Sequence, residues 1–448
     1  MTAKYIVGID LGTTNSALAR CDALAEGENS PIEVCGIPQL VNPNEVEERT
    51  LLPSFLYIPG ELDFSRGSIG LPWEVEPQFV IGELARKRGA ESPNRLVASA
   101  KSWLSYPAVN RSAPILPWHA PEEVNKISPV EASSQFLRYL RSVWDSAEAG
   151  KQPELTLAEQ DVLLTVPASF DEEARELTRR AAQQAGYQHV TLLEEPQAAF
   201  YAWLECQGDA WRSRIKVGDL VLVCDIGGGT TDFSLIMVSE ENGDLTLKRV
   251  AVGDHILLGG DNMDLALARV LEQRLEASGN RIDTWSLHSM WHQCRIAKEK
   301  LFDSPKAQNR PITLLGKGTK LIGGTIKTEL ARKDLDKVLL EGFFPKVTSE
   351  QLPARQRIVG LQELGLPYAA DPAITKHLAR FLLEQVRNSP EAAGMRRGRG
   401  GLACPTHILF NGGVMKAAVL RDRVIEVLNS WLRQEGFDAP TKTAQGAW

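Results

Sequence analysis

Apolar residues along the chain fall into short runs, and two of them close on the same polar signature. Val7-Gly8-Ile9 ends at Asp10, passes through Leu11-Gly12-Thr13-Thr14-Asn15-Ser16 and resumes as Ala17-Leu18-Ala19. Val223-Cys224 ends at Asp225, passes through Ile226-Gly227-Gly228-Gly229-Thr230-Thr231-Asp232 and resumes as Phe233-Ser234-Leu235-Ile236-Met237-Val238. Each predicts a β-hairpin with aspartate at the end of its first strand and a tight turn in which glycine supplies positive φ. The copies lie about half the chain apart, which predicts two similar lobes, each giving one hairpin to a shared cleft.

Between the hairpins the period changes. Ser128-Pro129-Val130-Glu131 reads as a capping box with proline at the first helical position, opening a helix over Phe136, Leu137, Leu140 and Trp144. Val162–Val166 reads as a strand ending at Pro167. Ser169-Phe170-Asp171-Glu172 reads as a second capping box, and its helix, Ala174 to Ala185, stops at Gly186. Val190–Leu193 is a further strand, after which Pro196 opens a helix over Ala198, Ala199 and Tyr201. Strand, helix, strand, helix in close succession predicts an α/β fold. Residues 23–50, 59–77 and 106–123, rich in proline and glycine, are expected to be long surface loops. A helix over 379–386 and a strand over 407–410 flank Arg396-Arg397-Gly398-Arg399-Gly400-Gly401, which reads as a flexible solvated loop rather than a nucleic-acid contact.

Composition narrows the classes. The 448 residues are 43% hydrophobic and 24% charged, with 50 Lys+Arg against 57 Asp+Glu and a net charge of −7. Such a chain folds, and it is a poor whole-surface binder of nucleic acid. No apolar run of about 18 residues predicts a membrane span, and the opening residues lack a signal-peptide shape, so a cytoplasmic protein is expected. The six cysteines (Cys21, Cys35, Cys206, Cys224, Cys294, Cys404) are widely spaced, without zinc-site spacing, and are expected to be reduced core residues.

The chemistry lies in the hairpins. Glycines let backbone amides approach phosphate oxygens, threonine hydroxyls add donors, and Asp10 and Asp225 stand where they can hold a hydrated Mg²⁺. Either hairpin alone would be an ordinary turn; the matched pair points to polyphosphate. Gly316-Lys317-Gly318-Thr319 is no Walker A loop, since Pro311 stands where its first glycine belongs. Leu257-Leu258-Gly259-Gly260-Asp261 precedes an amphipathic helix (Leu265, Leu267, Ala268, Leu271). Ile408-Leu409-Phe410-Asn411-Gly412-Gly413 ends a strand and enters another helix (Val419, Leu420, Val424, Ile425, Leu428). Helix starts reached through glycines are candidate anion sites.

The collinear order of Ile9-Asp10-Leu11-Gly12-Thr13-Thr14-Asn15-Ser16, Ala100-Lys101, Val166-Pro167-Ala168-Ser169-Phe170, Glu195-Pro196-Gln197-Ala198-Ala199, Asp225–Thr230, Gly259-Gly260-Asp261, Ala297-Lys298 and Gly412-Gly413 resembles the nucleotide-binding domain of the heat-shock protein 70, or DnaK-type, chaperone family. The resemblance covers nearly the whole chain and implies an α/β actin-like ATPase (ribonuclease H-like) fold with two lobes around a nucleotide cleft. It implies lobe I over 1–214 with an outer subdomain at about 42–127, and lobe II over 215–448 with one at about 255–333. ATP or ADP and Mg²⁺ are the implied ligands, with K⁺ a further candidate cation. Gly12, Thr13, Thr14 and Asn15, with Gly227, Gly228, Gly229 and Thr230, match phosphate-binding residues. Asp10 and Asp225 match carboxylates that hold the metal through water. Lys101 matches the lysine that orients the attacking water, and Glu195 and Thr230 match further γ-phosphate-side residues. Pro167 and Arg175 match a pair that relays nucleotide state.

Departures cluster at the implied nucleoside contacts. Gly259, Gly260, Asp261, Arg295, Lys298, Glu299, Phe302, Gly412, Gly413, Val414 and Lys416 occupy those positions, but the family usually has Glu at 295, Arg or a similar long polar residue at 299, a hydrophilic residue at 302, and Ser and Arg at 414 and 416. Gln197 replaces a usual threonine. A divergent, bacterial-type member with weakened nucleotide affinity and poor ATP/GTP discrimination is expected. The resemblance implies that a closing helix and a substrate-binding domain lie outside this chain, and that a J-domain co-chaperone and a nucleotide-exchange factor are partners, with no nucleic acid and no membrane. A sugar or polyol kinase and a filament-forming ATPase of the same fold are the alternatives.

Overall fold

The computed structural model describes residues 3–24, 31–118, 120–150, 152–241, 244–315, 325–354, 366, 368–385, 396–437 and 442–444. They divide into two compact units: the first takes the described residues up to Glu195 together with Leu366, the second the remainder from Pro196.

In the first unit, β1 (Tyr5–Leu11) turns back antiparallel into β2 (Asn15–Asp22), and β3 (Glu33–Val34) extends the sheet beyond β2. On the other side β4 (Asp161–Val166) runs parallel to β1, and β5 (Val190–Glu194) parallel to β4. Val7, Ile9 and Leu11 of β1 and Val162, Leu164 and Val166 of β4 are buried at alternate positions, so one face of these strands faces the core. Parallel neighbours need crossovers, which here contain α1 (Ala100–Leu104), α2 (Pro129–Trp144) and α3 (Glu172–Gln184). Helix α2 starts as its sequence predicts: Ser128 Oγ accepts the Glu131 amide at 3.0 Å, and Pro129 occupies the first turn. Helix α3 starts two residues later than the Ser169 capping box predicts. Its cap is Asp171, whose carboxylate accepts the Ala174 amide at 2.7 Å and adds negative charge at the positive end of the helix.

The second unit repeats the plan. Strands β6 (Leu220–Ile226), β7 (Thr231–Glu241) and β8 (Asp244–Val252) form an antiparallel meander; β9 (His407–Asn411) and β10 (Lys442–Ala444) add in parallel on the far side of β6. Strand order and polarity, β8-β7-β6-β9-β10, match β3-β2-β1-β4-β5 of the first unit. β6 is covered on both faces. Leu222, Cys224 and Ile226 join a core with α5 (Gly260–Ala277), α6 (Thr284–Asp303) and α7 (Ala418–Gln434), whereas Val221 and Val223 pack with Phe200 and Trp203 of α4 (Glu195–Gln207).

Several expectations change. Within 23–50 the structure has not one long loop but β3 and a ribbon of Ile37–Asn42 against Glu45–Arg49, burying Ile37, Leu40 and Val41. Pro38 is tolerated because a two-stranded ribbon has open edges. The helix expected over 379–386 is Ile374–Arg380, continued by a π-helical turn at Phe381–Gln385, and Val386 lies outside the described residues. The basic stretch from Arg396 is not a loose loop. Arg396 lies over the Phe437 ring, the Cys404 amide donates to Arg396 O, and the Gly400 amide donates to Glu435 Oε2 at 2.6 Å. Only Cys224, Cys294 and Cys404 are buried; Cys21 and Cys35 are half-buried and Cys206 is exposed. Gly316–Thr319 falls outside the described residues. Among the described residues no helix is long and apolar enough to cross a membrane.

Candidate functional site

The first hairpin places Asp10 one residue before the end of β1, beside Thr165 on the parallel strand β4. Thr165 Oγ1 donates to Asp10 Oδ1 at 2.7 Å, which fixes the carboxylate through one oxygen. Glycine at 12 serves close approach rather than positive φ: a Cβ there would lie 2.1 Å from Asn15 O. Ser54 holds the turn from behind. Its Oγ donates to Gly12 O at 2.8 Å and its amide to Thr14 O at 2.9 Å. Because a trans peptide sets N–H opposite C=O, anchoring the Gly12 carbonyl turns the Thr13 amide to the other side. Among the described residues Thr14 Oγ1 is buried without a hydrogen-bond partner, so a phosphate oxygen is a fitting acceptor for it.

The second hairpin reproduces the device with different parts. Asp225 stands beside Asn411 on the parallel strand β9, and Asn411 Nδ2 donates to Asp225 Oδ2 at 2.8 Å. Here the start of α5 anchors the turn: the Gly260 amide donates to Gly227 O at 3.0 Å and the Asp261 amide to Gly228 O at 2.7 Å. The Gly228 and Gly229 amides are thereby directed away from the helix, and among the described residues neither has a hydrogen-bond acceptor. A Cβ at Gly259 would lie 2.5 Å from Gly228 O. The amides at the start of α5 are thus already spent on the turn. Gly412 takes φ +85°, and a Cβ on it would lie 2.3 Å from Ile226 O and 2.7 Å from Asp225 Oδ1. The helix expected over 419–428 runs from Ala418 to Gln434. Gly413–Lys416 is a 3₁₀ turn, with Met415 and Lys416 carbonyls capped by Arg421 Nη1.

Lys101, on the buried helix α1, donates through Nζ to Glu195 Oε1. The same unit buries Pro167 and draws Arg175 across the turn that follows it. Arg175 Nε donates to Phe170 O at 3.2 Å, and its Nη2 to Ala168 O at 3.1 Å and to Glu194 Oε1 at 3.0 Å. Arg111, also buried, grips both oxygens of Asp171 at 2.9 Å.

The implied nucleoside residues behave differently from the turns. Arg295 and Lys298 are buried and paired within the second unit. Arg295 Nε donates to Asp264 Oδ2 at 3.0 Å, its Nη2 pairs with Asp261, and Lys298 Nζ lies 2.7 Å from Asp264 Oδ1. Burial disfavours the Arg295 charge, but the Asp261 and Asp264 carboxylates outweigh it and hold the guanidinium charged, with its pKa raised. Glu299 and Lys416 are exposed, while Phe302 and Val414 pack against the core.

The profile of the family described as Hsp70 protein matches residues 6–350. The chain belongs to the Hsp70 family. Its two-unit plan is accordingly the α/β actin-like ATPase fold. It is 29% identical over 343 residues to a chaperone protein HscA homolog of Histophilus somni (strain 129Pt), covering 73% of this chain and 48% of that protein. A similarly named protein of Pseudomonas aeruginosa is 29% identical over 374 residues, 81% of this chain and 50% of its own. A third, from Acinetobacter baumannii (strain SDF), is 31% identical over 280 residues, 61% and 38%. The chain therefore spans about half the length of these curated relatives, or less.

Four residues that hold these side chains and turns in place were given no role of their own by the sequence: Thr165, Asn411, Ser54 and Asp264. Each acts on a partner at least 31 residues away, so no local motif contains the pair. The duplication offered one clue, since Thr165 and Asn411 occupy equivalent positions on equivalent strands.

Proposed function

We propose that this chain binds MgATP and hydrolyses it slowly, as the nucleotide-dependent part of an Hsp70-type chaperone. The observation that carries the reading is the duplicated hairpin: in both units an aspartate is oriented by the neighbouring parallel strand, and the turn is anchored through its carbonyls with its amides turned outward. Such turns suit phosphate oxygens. In this reading the backbone of 12–15 and 227–230, with the hydroxyls of Thr13, Thr14 and Thr230, holds the phosphates. Asp10 and Asp225 hold Mg²⁺ through water. The chemistry the ion supplies is neutralisation of the phosphate charge. Lys101 sets a fixed positive charge where negative charge grows in the transition state, and Glu195 fixes the direction of that ammonium.

Coupling to a substrate-binding domain, and partnership with a J-domain protein and an exchange factor, follow from family membership and belong to the same proposal. Calorimetric titration with MgATP tests it: saturable binding that EDTA abolishes is expected. Turnover that requires an added sugar would favour the kinase of the same fold instead.

A further inference from the structure

We infer that Arg295 is a positioning residue for the phosphate turn Gly227–Thr230, acting through Asp261 and the first turn of α5. The inference rests on the nucleotide reading above and deepens it by assigning a role to a residue that the resemblance places among nucleoside contacts.

Asp261 is held at three points. Its carboxylate pairs with Arg295, its carbonyl accepts Trp291 Nε1 at 3.0 Å, and its amide donates to Gly228 O at 2.7 Å. Arg295 and Trp291 both sit on α6, one turn apart, so α6 grips the start of α5 through two side chains. The second prong of the guanidinium goes to Asp264, which is only 1% exposed and also pairs with Lys298. A buried ion network of this kind is a poor source of stability, because desolvation offsets the Coulomb gain. What it supplies is direction: a planar fork engaged by two carboxylates fixes both angle and distance.

That direction reaches the phosphate turn in one step. The Gly260 and Asp261 amides hold the Gly227 and Gly228 carbonyls. Peptide planarity then sets where the Gly228 and Gly229 amides point, and hydrogen bonds to phosphate weaken steeply with misalignment. Lysine at 295 would keep the charge and lose the fork. Arg295 commits Nε to Asp264 and Nη2 to Asp261, so in this inference its effect on a ligand passes through the turn to the phosphates.

Titration calorimetry with MgATP, MgGTP and magnesium tripolyphosphate, on the wild-type chain, Arg295→Met and Arg295→Lys, reads this directly. Arg295→Met should weaken all three ligands by a similar factor, about tenfold. Arg295→Lys should recover thermal stability but not the affinity for tripolyphosphate. Hydrogen exchange of the unliganded protein should quicken at the Gly260 and Asp261 amides in both variants. Loss confined to ATP and GTP, with tripolyphosphate unchanged, would make Arg295 a nucleoside contact and overturn the inference; so would an affinity that returns in step with stability in Arg295→Lys. If Arg295→Met does not fold, Trp291→Phe, which removes the donor to the Asp261 carbonyl together with part of the indole's packing, tests the same grip of α6 on Asp261. If the wild-type chain binds none of the three ligands, the nucleotide reading is what fails, and unchanged exchange at Gly260 and Asp261 still overturns the positioning role.

Discussion

Replacing Lys101 by methionine removes an ammonium from a site with little access to water. The Lys101 side chain is 9% exposed and its partner Glu195 17%. All five residues of α1 are buried, so methionine can occupy the lysine stem's volume without opening a large cavity. The energetic cost is therefore mainly electrostatic: a carboxylate is left partly desolvated without its counter-charge. Breaking a fully buried pair costs roughly 3–5 kcal/mol; partial exposure of Glu195 brings the expected loss to about 2–3 kcal/mol. Glu195→Gln in the same chain removes the stranded charge, so the double variant should be more stable than the sum of the single losses by at least about 1 kcal/mol. Activity should follow a different pattern. Lys101→Met should cut single-turnover ATP hydrolysis about 10²-fold or more while changing MgATP affinity less than about tenfold. Adding Glu195→Gln should make little further difference, since the two act as one unit. Urea unfolding at pH 7 and single-turnover hydrolysis by the three variants decide the matter. Strictly additive stabilities, or unchanged hydrolysis in Lys101→Met, would refute the reasoning.

Two further predictions concern the second unit. Gly412→Ala should destabilise the fold by at least about 2 kcal/mol, from its positive φ and its contact with Ile226 O, whereas Gly413→Ala, with nothing within 4 Å, should stay within about 0.5 kcal/mol; equal urea midpoints for the pair would contradict the geometry. His377 is buried and donates through Nε2 to the Asp371 carbonyl at 2.9 Å, and desolvation lowers its pKa below 6.5. Below about 6.5 the unfolded chain then takes up a proton that the folded chain resists, so stability should decline as pH falls from 7 toward the folded pKa. His377→Gln should flatten that decline between pH 7 and 5 in urea titrations, and an unaltered slope would show that the decline comes from other groups.

What the sequence made legible was what it encodes locally and twice. The Asp–Gly–Thr repeat marked both hairpins and located both aspartates, and Ser128-Pro129 marked the start of α2. Its physical reading of the turns was only half right. Gly12 is glycine for space, and Gly259 for the close approach of the Gly227 and Gly228 carbonyls; positive φ is needed instead at Gly412, between the strand and the 3₁₀ turn. The strands at Ile37–Asn42 and Glu45–Arg49 were hidden by Pro38 and Gly36, residues that punctuate loops elsewhere but sit at the edge of a ribbon here. The sign change at Arg295 was visible, but its compensation by Asp261 and Asp264 on α5 was not, because the partners lie 31 to 34 residues away. Tertiary pairing, unlike hairpin chemistry, leaves no periodic trace in a single chain.

The duplicated hairpins are proposed to hold a magnesium-bound nucleoside triphosphate. The most direct test is calorimetric titration of MgATP into the wild-type chain and into Asp225→Asn, each with and without EDTA. On that proposal the wild-type chain binds saturably, EDTA abolishes the binding, and Asp225→Asn weakens it at least about tenfold, through loss of a carboxylate proposed to hold the metal. Absence of saturable binding, or binding indifferent to both EDTA and Asp225→Asn, would contradict it.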